Sequence, residues 1–157
     1  MADQLQQFLT PEGMIELEQE LDHLRSVRRK EVADMLSQSK ELGTTVSNAE
    51  YDDAKLQQSF VEGRIQELES VLHHATVIKH GQGPKGSISV GSRVVATTSD
   101  GDEEHFSVVG HHEANPLEGK ISNESPVGQA LMGHKAGQKV KIKVPNGVIT
   151  YTILSVE

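Results

Sequence analysis

The 157-residue chain has no cysteine and no tryptophan, and only two tyrosines and three phenylalanines. Without cysteine there is no disulfide framework, no thiolate nucleophile and none of the usual sulfur ligands of structural zinc. So few aromatics leave little from which to build a base-stacking platform. Also missing are any run apolar enough to span a bilayer and the basic-then-apolar start of a signal peptide, so no membrane partner and a cytoplasmic location are expected. Positive charge is in deficit as well: 15 Lys and Arg stand against 23 Asp and Glu, a net −8 at pH 7. Residues 1–80 carry 8 basic against 15 acidic side chains, whereas residues 81–157 carry 7 against 8. An acidic N-terminal half argues against autonomous, sequence-specific binding of DNA, which depends on neutralised phosphates. Solubility alone accounts for the same charge.

What is present begins with two helix-periodic segments. Thr10-Pro11 opens the first, with Thr10 as N-cap and Pro11 at the first helical position. Met14, Leu17, Leu21 and Leu24 then recur at three-four-three spacing, and the stripe drifts on through Val27, Val32, Met35 and Leu36 toward a stop near Leu42-Gly43. The second segment repeats Tyr51, Ala54, Gln58, Val61, Ile65, Leu68, Leu72 and Ala75. Two such stripes joined by a short turn bury each other as an antiparallel coiled-coil hairpin over residues 1–79, each arm about 45 Å long. Its tip falls at residues 43–47, and Ser47 with Glu50 predicts a capping box, Val46 stapling onto Tyr51.

The Gly- and Pro-rich stretch 80–87 reads as a linker, after which the period becomes two. Arg93–Thr98, His105–Val109, Val140–Val144 and Val148–Leu154 read as strands, the last two paired across Pro145-Asn146-Gly147. Ser125-Pro126 starts a short helix that Gly133 ends. Residues 88–157 are therefore expected to form a small antiparallel β-sheet with one short helix, giving an α + (α+β) chain.

Eight histidines raise the question of a metal. His73-His74 are adjacent, so they point to different faces of a helix, and neither has a His, Asp or Glu four residues on; no zinc-site spacing occurs. No Ser or Thr stands in a nucleophile-elbow or triad context. The densest basic run, Arg25, Arg28, Arg29 and Lys30, reads chiefly as a solvated helix face, with Arg28 interrupting the apolar stripe.

The blocks LTPEGMIELEQELDHLRSVRRKEV, SNAEYDDAK, QQSFVEGRIQELE and GKISNESPVGQALMGHKAGQKVKIKVPNGVITYTI, in that order, resemble the bacterial Gre transcript-cleavage factors of RNA polymerase. The resemblance implies a coiled coil that enters the polymerase secondary channel and an FKBP-like C-terminal domain that docks on the channel rim. In the family an Asp and a Glu in a GDLxENAEY-type motif help hold Mg²⁺ in the polymerase active site. Aligned on NAEY, these fall on Thr44 and Ser47, within a tip formed by Gly43, Thr44, Thr45, Val46, Ser47, Asn48, Glu50 and Tyr51. Mg²⁺ prefers charged oxygen ligands, and no Asp or Glu lies between Glu41 and Glu50. The resemblance thus implies no cofactor of the chain's own, action beside the polymerase Mg²⁺, and weak or absent stimulation of cleavage. Residual cleavage through Glu50 or Asp52 is the competing expectation. Lys40 and Lys55 match basic positions that meet the nascent RNA 3′ segment, although a solvated pair explains them too. Ile121, Ser122, Asn123, Glu124, Ser125 and Pro126 would supply the rim contact, with Ser125 and Pro126 also explained as a helix start. A prolyl isomerase is disfavoured, since Phe106 and Tyr151 are the only Phe or Tyr after residue 80. A tethering coiled coil would be revived by failure to bind polymerase.

Overall fold

The computed structural model describes residues 7–41, 48–79 and 83–157. They divide into two compact units, Ile15–His74 and the flanking segments, in which Met14 and everything before it join Ala75–Glu157. The sequence reading had placed residues up to 79 in the hairpin. In the structure the described residues 7–14 and 75–79 pack with the sheet instead.

Thr10 opens helix α1 (Pro11–His23) as expected: its hydroxyl accepts from Gly13 N–H at 3.1 Å, satisfying one of the free amides of the first turn. A π-helical turn, Leu24–Arg28, follows and leads into α2 (Arg29–Glu41). This turn was not foreseen. A π turn takes up an extra residue and so rotates the following stripe, which fits Val27 lying 40% exposed while Val32 and Leu36 are buried. Helix α3 spans Ala49–His74 and packs against α2. Buried side chains are Leu17, Leu21, Val32 and Leu36 on the outward arm and Ala54, Val61, Ile65, Leu68 and Val71 on the returning one. Val71, rather than the expected Leu72, completes the stripe, because two successive steps of three carry the buried face from Ile65 to Leu68 to Val71.

The basic run is not simply solvated. Arg25 pairs with Glu69, and Arg29 grips Glu62 with Nε and Nη2 at 2.8 and 2.9 Å. Arg64 returns the contact to Glu20 at 2.7 and 2.9 Å, so three ion pairs lace the two arms. Arg28, half-buried at a stripe position, turns its head to Glu31.

The other unit is built on a five-stranded sheet. Its strands are β3 (Arg93–Thr98), β4 (Glu103–Val109), β5 (Lys120–Ser122), β6 (Lys139–Val144) and β7 (Gly147–Val156), in the order β5-β4-β3-β7-β6. The antiparallel expectation holds except at one edge, where β5 runs parallel to β4. The connection from Val109 passes through two 3₁₀ turns, His111–Glu113 and Pro116–Glu118, and re-enters in the same direction, so only parallel pairing is open to it. Gly147, expected in the turn, instead pairs with Val144 at φ 138, leaving Pro145-Asn146 as the loop. Helix α4 (Pro126–Leu131) contributes Leu131 to a core with Ile88, Val94, Ala96, Val108, Val140, Ile142, Tyr151 and Ile153.

A second, two-stranded sheet was also unforeseen: β1 (Phe8–Leu9) runs parallel to β2 (Thr76–Val77), with Leu9 fully buried. Thr76 N–H donates to Gln7 O and Ile78 N–H to Leu9 O, both at 2.8 Å. Glu113 fastens the same segment. Its carboxylate accepts from Thr10 N–H at 2.8 Å, from the Thr10 hydroxyl and from Gly110 N–H at 3.3 Å. Close approach requires the glycines here: a Cβ on Gly110 would lie 1.7 Å from Phe8 O, and one on Gly13 would lie 1.7 Å from the Glu113 carboxylate.

Candidate functional site

Two stretches carry the candidate residues. At the hairpin end, Gly43, Thr44, Thr45, Val46 and Ser47 lie outside the described residues, and with them the proposed staple of Val46 on Tyr51. Their flanks are well defined. The Asn48 side chain accepts from Tyr51 N–H at 3.2 Å, while its Nδ2 donates to Ser39 O at 2.6 Å. One amide therefore caps α3 and fastens it to the last turns of α2, using its acceptor for one task and its donor for the other. The predicted capping box at Ser47 and Glu50 is corrected by this: α3 begins at Ala49, so Asn48 is the cap and Glu50 falls in the first turn, where its charge favours the helix N-terminus. The signal for Asn48 was present in NAEY, since Asn three residues before a helical N–H caps as well as Ser.

Ser39 is 4% exposed and directs its hydroxyl to Leu36 O at 2.9 Å, leaving its own carbonyl for Asn48. Lys40 is exposed in the last turn of α2, and the Lys55 ammonium lies 5.6 Å from the centre of the Tyr51 ring. That is cation–π distance and keeps Lys55 beside the helix start. Glu41, Glu50, Asp52 and Asp53 are exposed, and Asp53 accepts from Gln57 at 2.8 Å. Among the described residues no three His, Asp or Glu side chains converge as a metal site.

The second stretch, Ile121 to Pro126, follows β4 closely. Asn123 N–H donates to Val109 O at 2.9 Å and Glu124 N–H to Ser122 Oγ at 3.1 Å. Ser125 caps α4, accepting from Gly128 N–H at 3.0 Å, and its own hydroxyl donates to Ser122 O at 2.7 Å. Gly128 must be small, because a Cβ would meet Ser122 O at 1.9 Å. Ser122 and Ser125 are thus committed to holding the turn, and Glu124 and Pro126 are the exposed members. Asn123 is half-buried, and its Oδ1 is enclosed with no hydrogen-bond partner.

Gln7, Phe8, His111 and His112 were not singled out from sequence, yet they border Asn123 and Glu124 around one cavity. No local motif marks them, since residues 7–8 reach this place only through β1–β2 pairing.

Residues 7–77 match the family model described as "Transcription elongation factor, N-terminal", and residues 83–157 that described as "Transcription elongation factor, GreA/GreB, C-term". The chain is 46% identical over 150 residues to a protein of Chloroflexus aggregans named "Transcription elongation factor GreA", covering 95% of this chain and 96% of that one. A protein of the same name from Clostridium acetobutylicum is 42% identical over 158 residues and covers 100% of both. Among solved structures, GreA factor homolog 1 (Gfh1) of Thermus thermophilus is 30% identical, covers 97% of this chain and 99% of its own, and superposes with a TM-score of 0.45.

Proposed function

Because the chain belongs to the GreA/GreB family of transcription elongation factors, we propose that it binds RNA polymerase and places its helical hairpin in the secondary channel, modulating pausing, backtracking or elongation with little or no stimulation of RNA cleavage. The carrying observation is the segment between the two helix ends that Asn48 and Ser39 hold together: it reads Leu-Gly-Thr-Thr-Val-Ser, with no carboxylate.

In cleavage, Mg²⁺ activates the attacking water and offsets charge on the leaving oxygen. Thr44 and Ser47, standing where the family motif has Asp and Glu, offer neutral hydroxyls, which are poor partners for so hard a cation. The remaining parts of the reading are consistent with binding. Lys40 and Lys55 flank the tip and would pair with phosphates of the nascent RNA 3′ segment. Ile121 to Pro126 would meet the channel rim through Asn123, Glu124 and Pro126, the members of the segment not consumed in holding its own turn. The chain acts in this reading as an accessory of the polymerase and needs no cofactor of its own.

Transcript cleavage in a stalled, backtracked complex with purified polymerase tests the proposal. Binding without accelerated shortening of the RNA is expected, and Thr44→Asp with Ser47→Glu should gain cleavage. Rapid shortening by the natural sequence, matching a relative with both acids, would overturn the non-cleaving half.

A further inference from the structure

The cavity beside the docking segment has a volume of about 250 Å³ and is bordered by Gln7, Phe8, His111, His112, Asn123 and Glu124. Three separate pieces of chain meet there, each fixed by backbone hydrogen bonds or close packing. Gln7 and Phe8 are held by the Thr76 amide and by contact with Gly110. Asn123 is tied to Val109, and Glu124 to the Ser122 hydroxyl. A site so constructed exists before any ligand arrives.

Its chemistry is one-sided. Gln7 Oε1 and Asn123 Oδ1 are both fully enclosed and lack a hydrogen-bond partner. A buried carbonyl left unpaired is costly, so two bordering one cavity call for a donor. Glu124 adds a carboxylate, whose contact with His111 Nδ1, at 3.8 Å, is too long for a hydrogen bond. Phe8 supplies an aromatic wall. Acceptors converging with a carboxylate beside a ring describe the surroundings of a guanidinium, whose planar fork carries five donors and whose face stacks on aromatic rings. An ammonium would satisfy fewer of these groups, having three donors and no flat face.

We infer that this notch receives one arginine side chain of RNA polymerase when the sheet domain docks. The inference rests on the docking reading of Ile121 to Pro126 and adds to it a recognised side chain and the residues that recognise it. Glu124 and Asn123 become the specificity-determining members of that segment, joined by Gln7 and Phe8 from the far end of the sequence.

The test uses the full chain and two probes. In the first arm, N-acetyl-arginine methylamide and its lysine counterpart are titrated while the side-chain amide resonances of Gln7 and Asn123 are followed by NMR. The arginine compound should shift both pairs saturably and the lysine compound should not. In the second arm, affinity for purified core polymerase is measured for the natural protein, for Glu124→Gln and for Asn123→Leu, which fills the notch with a side chain of similar size. Loss of a charge-assisted contact predicts affinity lower by roughly tenfold to a hundredfold in each variant, with thermal melting unchanged to exclude misfolding.

Absence of any arginine-specific shift would overturn the notch. Polymerase affinity unchanged in both variants would overturn the assignment of the arginine to polymerase. Failure of the natural protein to bind polymerase at all would sink the docking reading, and the first arm would then decide the notch alone.

Discussion

Tyr151 is 6% exposed, stacks edge-on against Phe106 with ring centres 5.6 Å apart, and donates its hydroxyl to Glu104 Oε2 at 3.0 Å. Burial and then the adjacent Glu104 carboxylate push its phenol up to about 12 from the ordinary 10.0. The raised value makes the folded state hold its proton longer than the unfolded state. The contribution to stability is therefore complete below about pH 10 and is lost progressively as pH rises from there through about 12. Urea midpoints of the natural protein should fall across that window more steeply than those of Tyr151→Phe, which at neutral pH should cost about 1 kcal/mol. Asn48 offers a sharper separation of roles. Asn48→Ala should cost about 1–2 kcal/mol through loss of the cap. Asn48→Asp would keep the capping acceptor but set a carboxylate against the Ser39 carbonyl, so it should destabilise at least as much as alanine. Thermal melts of the two variants check this: an aspartate variant as stable as the natural protein would mean the bridge to Ser39 contributes nothing.

At the scale of elements, the π turn invites a deletion experiment. Removing Ser26 should convert Leu24–Arg28 to ordinary α-helix while leaving Val32 and Leu36 on the buried face, because the turn already contains the surplus residue. Removing Ala33 should instead rotate the stripe beyond it by roughly 100° and unseat Leu36. Circular dichroism melts should therefore show the second deletion as much the more damaging. The ion pairs across the arms call for a different measurement. The Arg29 hydrogen bond holds the Glu62 carboxyl below its usual value, and Glu62 holds Arg29 above its own, a consistent pair of shifts. Its stabilisation is present above the ordinary carboxylate range and is lost as pH falls through the depressed value. The pair is exposed, so the difference in melting temperature between the natural protein and Glu62→Gln should shrink in 1 M salt.

The helices and most strands were legible in the sequence for a physical reason: caps such as Thr10 and Ser125 and stripes such as Ala54 to Leu68 depend on neighbours only a few residues away. What was not legible depends on distance along the chain. Nothing local in Phe8-Leu9 announces pairing with Thr76-Val77, and nothing in Glu113 announces Thr10. The parallel course of β5 is likewise a property of the whole 110–119 connection. At the candidate site, Ser122 and Ser125 could be read as both structural and functional from sequence alone. Their hydrogen bonds now account for them, and attention moves to Asn123 and Glu124.

For the whole molecule, the division into units makes the sheet domain discontinuous in sequence, since residues 7–14 belong to it across the intervening hairpin. A fragment of residues 75–157 should consequently be incomplete. Adding a peptide of residues 7–14 in trans should shift the Gly110 and Glu113 amide resonances and raise the fragment's melting temperature. In the intact chain, Gly110→Ala should mimic the loss by driving Phe8 away, seen as faster hydrogen exchange at the Thr76 and Ile78 amides.

The β1–β2 pair also fixes an order of events during synthesis on the ribosome. Phe8 and Leu9 emerge first, yet their partners at Thr76 and Val77 follow only after both arms of the hairpin, and Gly110 and Glu113 later still. The earliest residues made are thus among the last to be seated. Until the final third of the polypeptide has left the exit tunnel, the apolar Phe8-Leu9 segment has no berth, and a nascent chain arrested before residue 110 would carry it bare to any chaperone waiting at the tunnel mouth.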